Sequence, residues 1–136
     1  MTKIHLFYIS EQFYSSSGYI TSVNTSDTER INVVMNYIMQ HYANDIKVEE
    51  IASLSNLTVS SFCRYFKSRT QKTFSEFLNE VRILNACKLL VKSDMTITEI
   101  CYETGYNNIS HFNRQFKLIT GLTAKAYTKK YKQHLF

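Results

Sequence analysis

The feature that most limits what this chain can become is an internal repeat. The segment VEEIASLSNLTVSSFCRYFKSRTQKTFSEF, from Val48 to Phe77, is echoed by ITEICYETGYNNISHFNRQFKLITGLTAKAY, from Ile97 to Tyr127. Ile51 answers Ile100, Leu57 answers Tyr106, and Val59 answers Ile109. Phe62 answers Phe112, Arg64 answers Arg114, Phe66-Lys67 answers Phe116-Lys117, and Thr73 answers Thr123. The offset of about fifty residues lies in the range where one supersecondary unit recurs against its neighbour. The one extra residue of the downstream copy falls in a turn, where insertions are best tolerated. Between the copies, Phe74 to Lys92 reads as a single amphipathic helix. Phe77, Leu78, Val81, Leu84, Leu89 and Leu90 recur at three- and four-residue steps, with Glu76, Glu80, Arg82, Lys88 and Lys92 mostly between them. Thr73 and Glu76 form a capping box at its start, nothing in it breaks a helix, and it should span roughly 28 Å. Units of about fifty residues bury little core alone, so both copies are expected to lean on this helix.

Each copy has the outline of a helix-turn-helix. Upstream, a short helix over about 48–54 meets the turn Ser55-Asn56-Leu57, then a second helix capped by Thr58 runs to about Arg69. Downstream, Thr96 and Glu99 cap a short helix over about 97–104, and Gly105 suits the left-handed residue closing it. A first helix is expected from an Ser26 or Asp27 cap to about Tyr42, with Ile31, Val34, Met35, Ile38 and Tyr42 inward. A last one is expected from Ala124 to Leu135, capped by Thr123, with Tyr127, Tyr131 and Leu135 on one side. The absence of proline and the three glycines agree with an all-α chain. The predicted fold is therefore all-α, two helix-turn-helix subdomains joined by a long central helix. Its parts are a tail or linker over 1–26 and a body over 27–136, with motifs over about 48–70 and 97–119 flanking the 74–92 helix. In the tail, Ile4 to Ile9 suits a short strand or an isolated hydrophobic scrap, and Ser15-Ser16-Ser17-Gly18 with Thr21 to Thr28 reads as a polar connector. Docking on the body and a remnant of a larger upstream protein both remain open.

The charge of +5 is segregated. Arg64, Lys67, Arg69 and Lys72 lie between Thr58 and Thr73 with no acid among them, and Arg114, Lys117, Lys125, Lys129, Lys130 and Lys132 lie beyond Gly105, again with none. Basic zones on equivalent parts of a repeat point to an extended polyanion, which solvated lysines scattered at random would not produce. Cys63, Cys87 and Cys101 are odd in number and lack metal or redox spacing, so a reducing cytoplasm is the expected compartment, with Cys87 and Cys101 as core residues. The four histidines form no ligand set, and neither metal nor cofactor is expected. No apolar run reaches membrane-spanning length, and the N-terminus lacks the features of a secretory signal.

On the second helix of each copy, Val59, Phe62 and Phe66, and likewise Ile109, Phe112 and Phe116, are expected to point into the core. That leaves Ser60, Ser61, Cys63 and Arg64 outward in the first, and Ser110, His111, Asn113 and Arg114 in the second, with Asn108 just ahead of it. These residue types suit base reading, since Arg grips guanine O6 and N7 with two bonds and Asn does the same at adenine N6 and N7. Thr58, Lys67, Arg69, Lys72, Lys117 and Lys125 are better read as phosphate contacts. Major-groove faces recur at about 34 Å along one side of B-DNA, so a helix of roughly 28 Å could set its two heads in neighbouring grooves of a slightly bent duplex. The competing reading is a duplicated scaffold for another protein, which leaves basic zones confined to the second helices unexplained.

IASLSNLTVSSFCRYFK, VRILNACKLL and ITEICYETGYNNISHFNRQFKLITGLT together resemble the DNA-binding domain of AraC/XylS-type transcription regulators, in the family's order and across about Ile31 to Tyr131. The resemblance implies seven helices, with recognition helices near Thr58–Arg69 and Ser110–Leu118. It also implies that Ser60, Cys63, Arg64, Ser110, Asn113 and Arg114 hold base-contacting positions. It implies a bacterial regulator, not an enzyme, with double-stranded DNA as partner, RNA polymerase as a candidate second one, and a separate effector-binding and dimerising domain upstream. Activation and repression stay open. Some DNA-repair methyl acceptors carry this kind of domain, but that chemistry needs an activated thiolate, and Arg64 beside Cys63 is not a base. Three departures stand out. Gln71 replaces a usual Gly and implies strain if left-handed, Ala124 replaces a common Pro, and Thr128 replaces a frequent Arg.

Overall fold

Seven helices account for most of the chain in the computed structural model, which describes residues 25–132: α1 Thr25–His41, α2 Val48–Leu54, α3 Val59–Thr70, α4 Phe74–Lys92, α5 Ile97–Glu103, α6 Ile109–Thr120 and α7 Ala124–Lys132. No strand occurs among the described residues. The candidate strand at Ile4 to Ile9, most of the polar connector and Leu135 lie outside them. α1 begins at Thr25, so Asp27 sits in its first turn rather than capping it.

α4 explains the arrangement. Its buried side chains do not form one stripe, as the three- and four-residue steps suggested, but two. Phe77, Leu78 and Val81 enter a core with Val34, Met35 and Ile38 of α1, Ile51 of α2, and Phe62 and Phe66 of α3. Ile83, Ala86, Cys87 and Leu90 enter a second core with Ile100 and Cys101 of α5, Phe112, Phe116 and Ile119 of α6, and Ala124 of α7. The step from Val81 to Ile83 turns the buried face by about 200°, since each residue advances about 100°. The helix therefore offers opposite sides to the two halves, and each half completes its core on a helix it shares. Glu80 shows the consequence. It is 9% exposed rather than on a solvated face, with one carboxylate oxygen 2.8 Å from Lys72 Nζ and the other without a hydrogen-bond partner.

The helix ends follow local chemistry. Thr73 and Thr96 each accept from the backbone N–H three residues on, while Glu76 and Glu99 reach back to the cap N–H, two complete capping boxes. Those N–H bonds hold both carboxyls below the usual carboxylate range. Thr58 and Asn108 cap α3 and α6 through side-chain oxygens accepting from Ser61 and His111 N–H. Positive φ occurs at equivalent places in both copies: Asn56 (59°) and Gly105 (103°) in the turns, Gln71 (63°) and Gly121 (82°) at the exits of α3 and α6.

Candidate nucleic-acid interface

The helix-turn-helix geometry of each half is set from inside. Phe62 and Phe66 are wholly buried with ring centroids 5.6 Å apart, and Phe112 and Phe116 repeat the pair at 5.7 Å. With those rings fixed inward, the residues between them must face out. Ser60, Cys63, Arg64 and Lys67 are exposed on α3, and Ser110, Asn113, Arg114 and Lys117 are exposed on α6. Each set follows one face at three- and four-residue spacing. Among the described residues none of Arg64, Arg114, Lys67, Lys117 or Lys125 takes part in an ion pair. An exposed Arg stands at the same place on both helices.

Several expected residues fall elsewhere. Ser61 and His111 are half-buried at the edge of their faces, and the His111 ring packs edge-on against Tyr106 at 5.3 Å. Asn108 is the cap of α6, with its side-chain Oδ1 already accepting from His111 N–H at 2.9 Å, and it precedes the exposed face of that helix. Val59, the first residue of α3, is 39% exposed instead of buried, whereas Ile109, the first residue of α6, is half-buried against its core.

Arg69 and Lys72, expected at phosphate, each form an ion pair within the protein. Arg69 forms an ion pair with Asp27 and lies 5.2 Å from the centre of the Tyr65 ring, and its hydrogen bond to Asp27 raises its pKa. Tyr65 in turn donates to the Asp27 carbonyl at 3.2 Å. Lys72 is held by Glu80. The reason is positional. Arg69 lies three residues after Phe66 and seven after Phe62, at the register where the second copy has buried Ile119, and is itself exposed beside Asp27.

One exposed residue beside these faces escaped the sequence reading. Leu118 is 69% exposed, the most exposed of the large apolar side chains among the described residues. It lies four residues beyond Arg114 and eight beyond Ser110, so the same spacing that selected those two places it on their face. It also lines, with Asn113, Arg114, Lys117 and Lys125, a cleft between α5, α6 and the start of α7. The cysteines divide as expected. Cys63 is exposed, whereas Cys87 and Cys101 are buried, and burial pushes the Cys87 thiol up to about 11. Among the described residues no group of three or more His, Cys, Asp or Glu could hold a metal ion, and no helix is long and apolar enough to cross a membrane.

This paired arrangement has relatives. A family model of the helix-turn-helix domain matches residues 34–130, from α1 into α7, and so includes both motifs and the helix that joins them. The chain belongs to the AraC-type helix-turn-helix domain family. The HTH-type transcriptional regulator YdeC of Bacillus subtilis strain 168 is 32% identical over 102 residues, 75% of this chain and 35% of its own length. The HTH-type transcriptional activator RhaS of Klebsiella pneumoniae strain 342 is 31% identical over 93 residues, 68% of this chain and 34% of its own. This AraC-type domain thus spans about a third of the length of those two regulators. Among solved structures, the DNA-binding domain of the global transcriptional factor AdpA, in complex with a target DNA, superposes with a TM-score of 0.71 at 25% identity, covering 74% of this chain and 91% of that one.

Proposed function

We propose that this AraC-type domain reads a two-part site on double-stranded DNA, with α3 and α6 in neighbouring major grooves. The observation that carries the reading is the pair Arg64 and Arg114, exposed at equivalent places on two helices whose inward faces are fixed by equivalent phenylalanine pairs. Arg64 and Arg114 are assigned to guanine, Asn113 to adenine, and Ser60, Cys63 and Ser110 to adaptable base contacts. Lys67, Lys117 and Lys125, with the Thr58 hydroxyl, are assigned to phosphate. Arg69 and Lys72 are left out of that set because their charges are met by Asp27 and Glu80. Ser61, His111 and Asn108 become edge residues, and Leu118 is added as an apolar contact of the kind that meets a thymine methyl.

In an intact regulator this domain would work beside an effector-binding or dimerising domain and would contact RNA polymerase. The activator RhaS, of which the matched segment is 34%, supports that extension.

The test is selection of binding sites from random duplex DNA at two salt concentrations. Two short conserved blocks about one helical turn apart are expected, with affinity falling steeply as salt rises. Arg114→Ala should then cost about 1–3 kcal/mol and relax preference at one base pair only. Salt-sensitive binding without any consensus would remove the sequence-specific reading and leave an electrostatic binder.

A further inference from the structure

Two reading heads on one chain are useful only if their separation and angle are fixed, and one junction meets that need. Arg82, on α4 between its two buried faces, donates from Nε to the Tyr42 carbonyl at 2.7 Å and from Nη2 to the Asn44 carbonyl at 2.8 Å. Those carbonyls belong to the segment just after α1, in the first half. The same guanidinium lies 5.5 Å from the centre of the Tyr106 ring, which belongs to the turn of the second motif. The Tyr106 hydroxyl crosses back and donates to Asn79 Oδ1 at 2.6 Å, on the part of α4 that serves the first half. Gly105 closes the junction. A Cβ there would stand 2.9 Å from Arg82 Nε, 2.9 Å from the Tyr42 carbonyl oxygen and 3.0 Å from Ala43 Cα, at a φ of 103°. The turn of the second motif therefore touches the turn that follows α1 directly, and Arg82 fills the angle between them. Its planar fork satisfies two carbonyls while its face meets a ring, a combination that a lysine cannot reproduce.

We infer that Arg82 is the positioning residue of this domain: by tying together α4, the turn after α1 and the turn of the second motif, it fixes the offset between α3 and α6 and so sets how many base pairs must separate the two parts of the site. Arg82 is half-buried at this junction and lies on α4, apart from the exposed faces of α3 and α6. The inference rests on the two-part reading above. A rigid junction lets the second head bind at high effective concentration at one spacing only, and a loosened junction spreads that concentration over several spacings.

The experiment uses the full chain and a duplex recovered by selection, remade with one or two base pairs inserted or deleted between its blocks, and with either block scrambled. Each inserted pair moves the second block by about 3.4 Å and turns it by roughly 35°. The wild-type chain is expected to lose on the order of 100-fold in affinity at the two-pair insertion. Arg82→Lys and Tyr106→Phe are expected to lose less than roughly tenfold there, by binding the native spacing more weakly, with affinity for single-block duplexes within about twofold of wild type. Arg82→Ala extends the series if it folds, and Lys and Phe keep the test open if it does not. Arg30→Ala serves as control, because Arg30 makes a comparable bond to the Ser55 carbonyl at 2.9 Å wholly within the first half. It should leave the spacing profile unchanged. A spacing penalty kept at its wild-type value in both Arg82→Lys and Tyr106→Phe overturns the role of Arg82 alone. A wild-type chain indifferent to spacing overturns the two-part reading, and the role of Arg82 falls with it.

Discussion

The two halves of this domain are built on the same plan and differ in where their cations go. In the second half, Arg114, Lys117 and Lys125 stand exposed and take part in no ion pair among the described residues. In the first, Arg64 and Lys67 do the same, but Arg69 is held by Asp27 and Lys72 by Glu80. The counterparts of those two are Ile119, buried, and Leu122, half-buried. One copy fills these positions with hydrocarbon, and the other fills them with cations, exposed at Arg69 and half-buried at Lys72, and supplies an acid to each. The comparison separates two jobs that a basic side chain can do in a duplicated fold. On the function proposed above, the equivalent outward positions serve recognition, while the positions of Arg69 and Lys72 serve cohesion whatever their charge.

The largest effect concerns what the halves share. Phe62 and Phe112 are both wholly buried, one in each core, and both cores are completed by α4. Phe62→Ala and Phe112→Ala should each cost about 3–5 kcal/mol, the usual range for emptying such a site. Both should shift one common melting transition, followed by circular dichroism, because neither half has a complete core without α4. A Phe112→Ala protein that retains a melting phase at the wild-type midpoint would show the halves to be separate cooperative units.

A smaller effect tests the division of the cations. Lys72→Ala strands Glu80, which already has one oxygen without a partner, and should cost about 1–3 kcal/mol of stability. It and Arg69→Ala should leave the slope of log K against log salt unchanged. Lys117→Ala should do the opposite, weakening all sequences alike and lowering that slope by about 1, with little change in stability. A slope that falls equally for Arg69 and Lys117 would erase the distinction between cations of cohesion and cations of recognition.

Most of this division could be read from the repeat, and the exceptions are instructive. The pairing of Phe62 with Phe112 and of Arg64 with Arg114 needs only the three- and four-residue steps of a helix. Arg69 was read as a phosphate contact from its charge alone, and its ion pair with Asp27 went unseen, although buried Ile119 at the same place in the other copy sets that position apart from Arg64 and Lys67. Leu118 was passed over for the converse reason, an apolar side chain on an outward face. Glu80 and the reversal of the α4 stripe were not legible, because a helix serving two cores shows no single periodic face. The role of Arg82 was hidden too. Its partners are carbonyls of Tyr42 and Asn44, about forty positions upstream, and backbone acceptors leave no mark on a sequence.

The smallest effect compares the exits of the two recognition helices. Gln71 and Gly121 hold equivalent left-handed positions, and their N–H groups donate to equivalent carbonyls, Lys67 and Lys117, both at 2.8 Å. Only the side chain differs. Left-handed backbone costs a residue with a Cβ about 1–2 kcal/mol, partly offset in any Gly replacement by the extra freedom Gly loses on folding. The Gln71 side chain returns little, since its one hydrogen bond, to the Ser68 carbonyl at 3.2 Å, is exposed. Gln71→Gly should therefore stabilise the protein by roughly 0.5–1 kcal/mol, and Gly121→Gln should destabilise it by a similar amount. Nothing lies within 4 Å of a Cβ built at Gly121, so no clash complicates the second substitution. Equal and opposite shifts in chemical denaturation midpoint would show that the two exits differ in backbone strain alone. A Gln71→Gly protein no more stable than wild type would instead show that the first half tolerates a left-handed glutamine through contacts that the second half lacks.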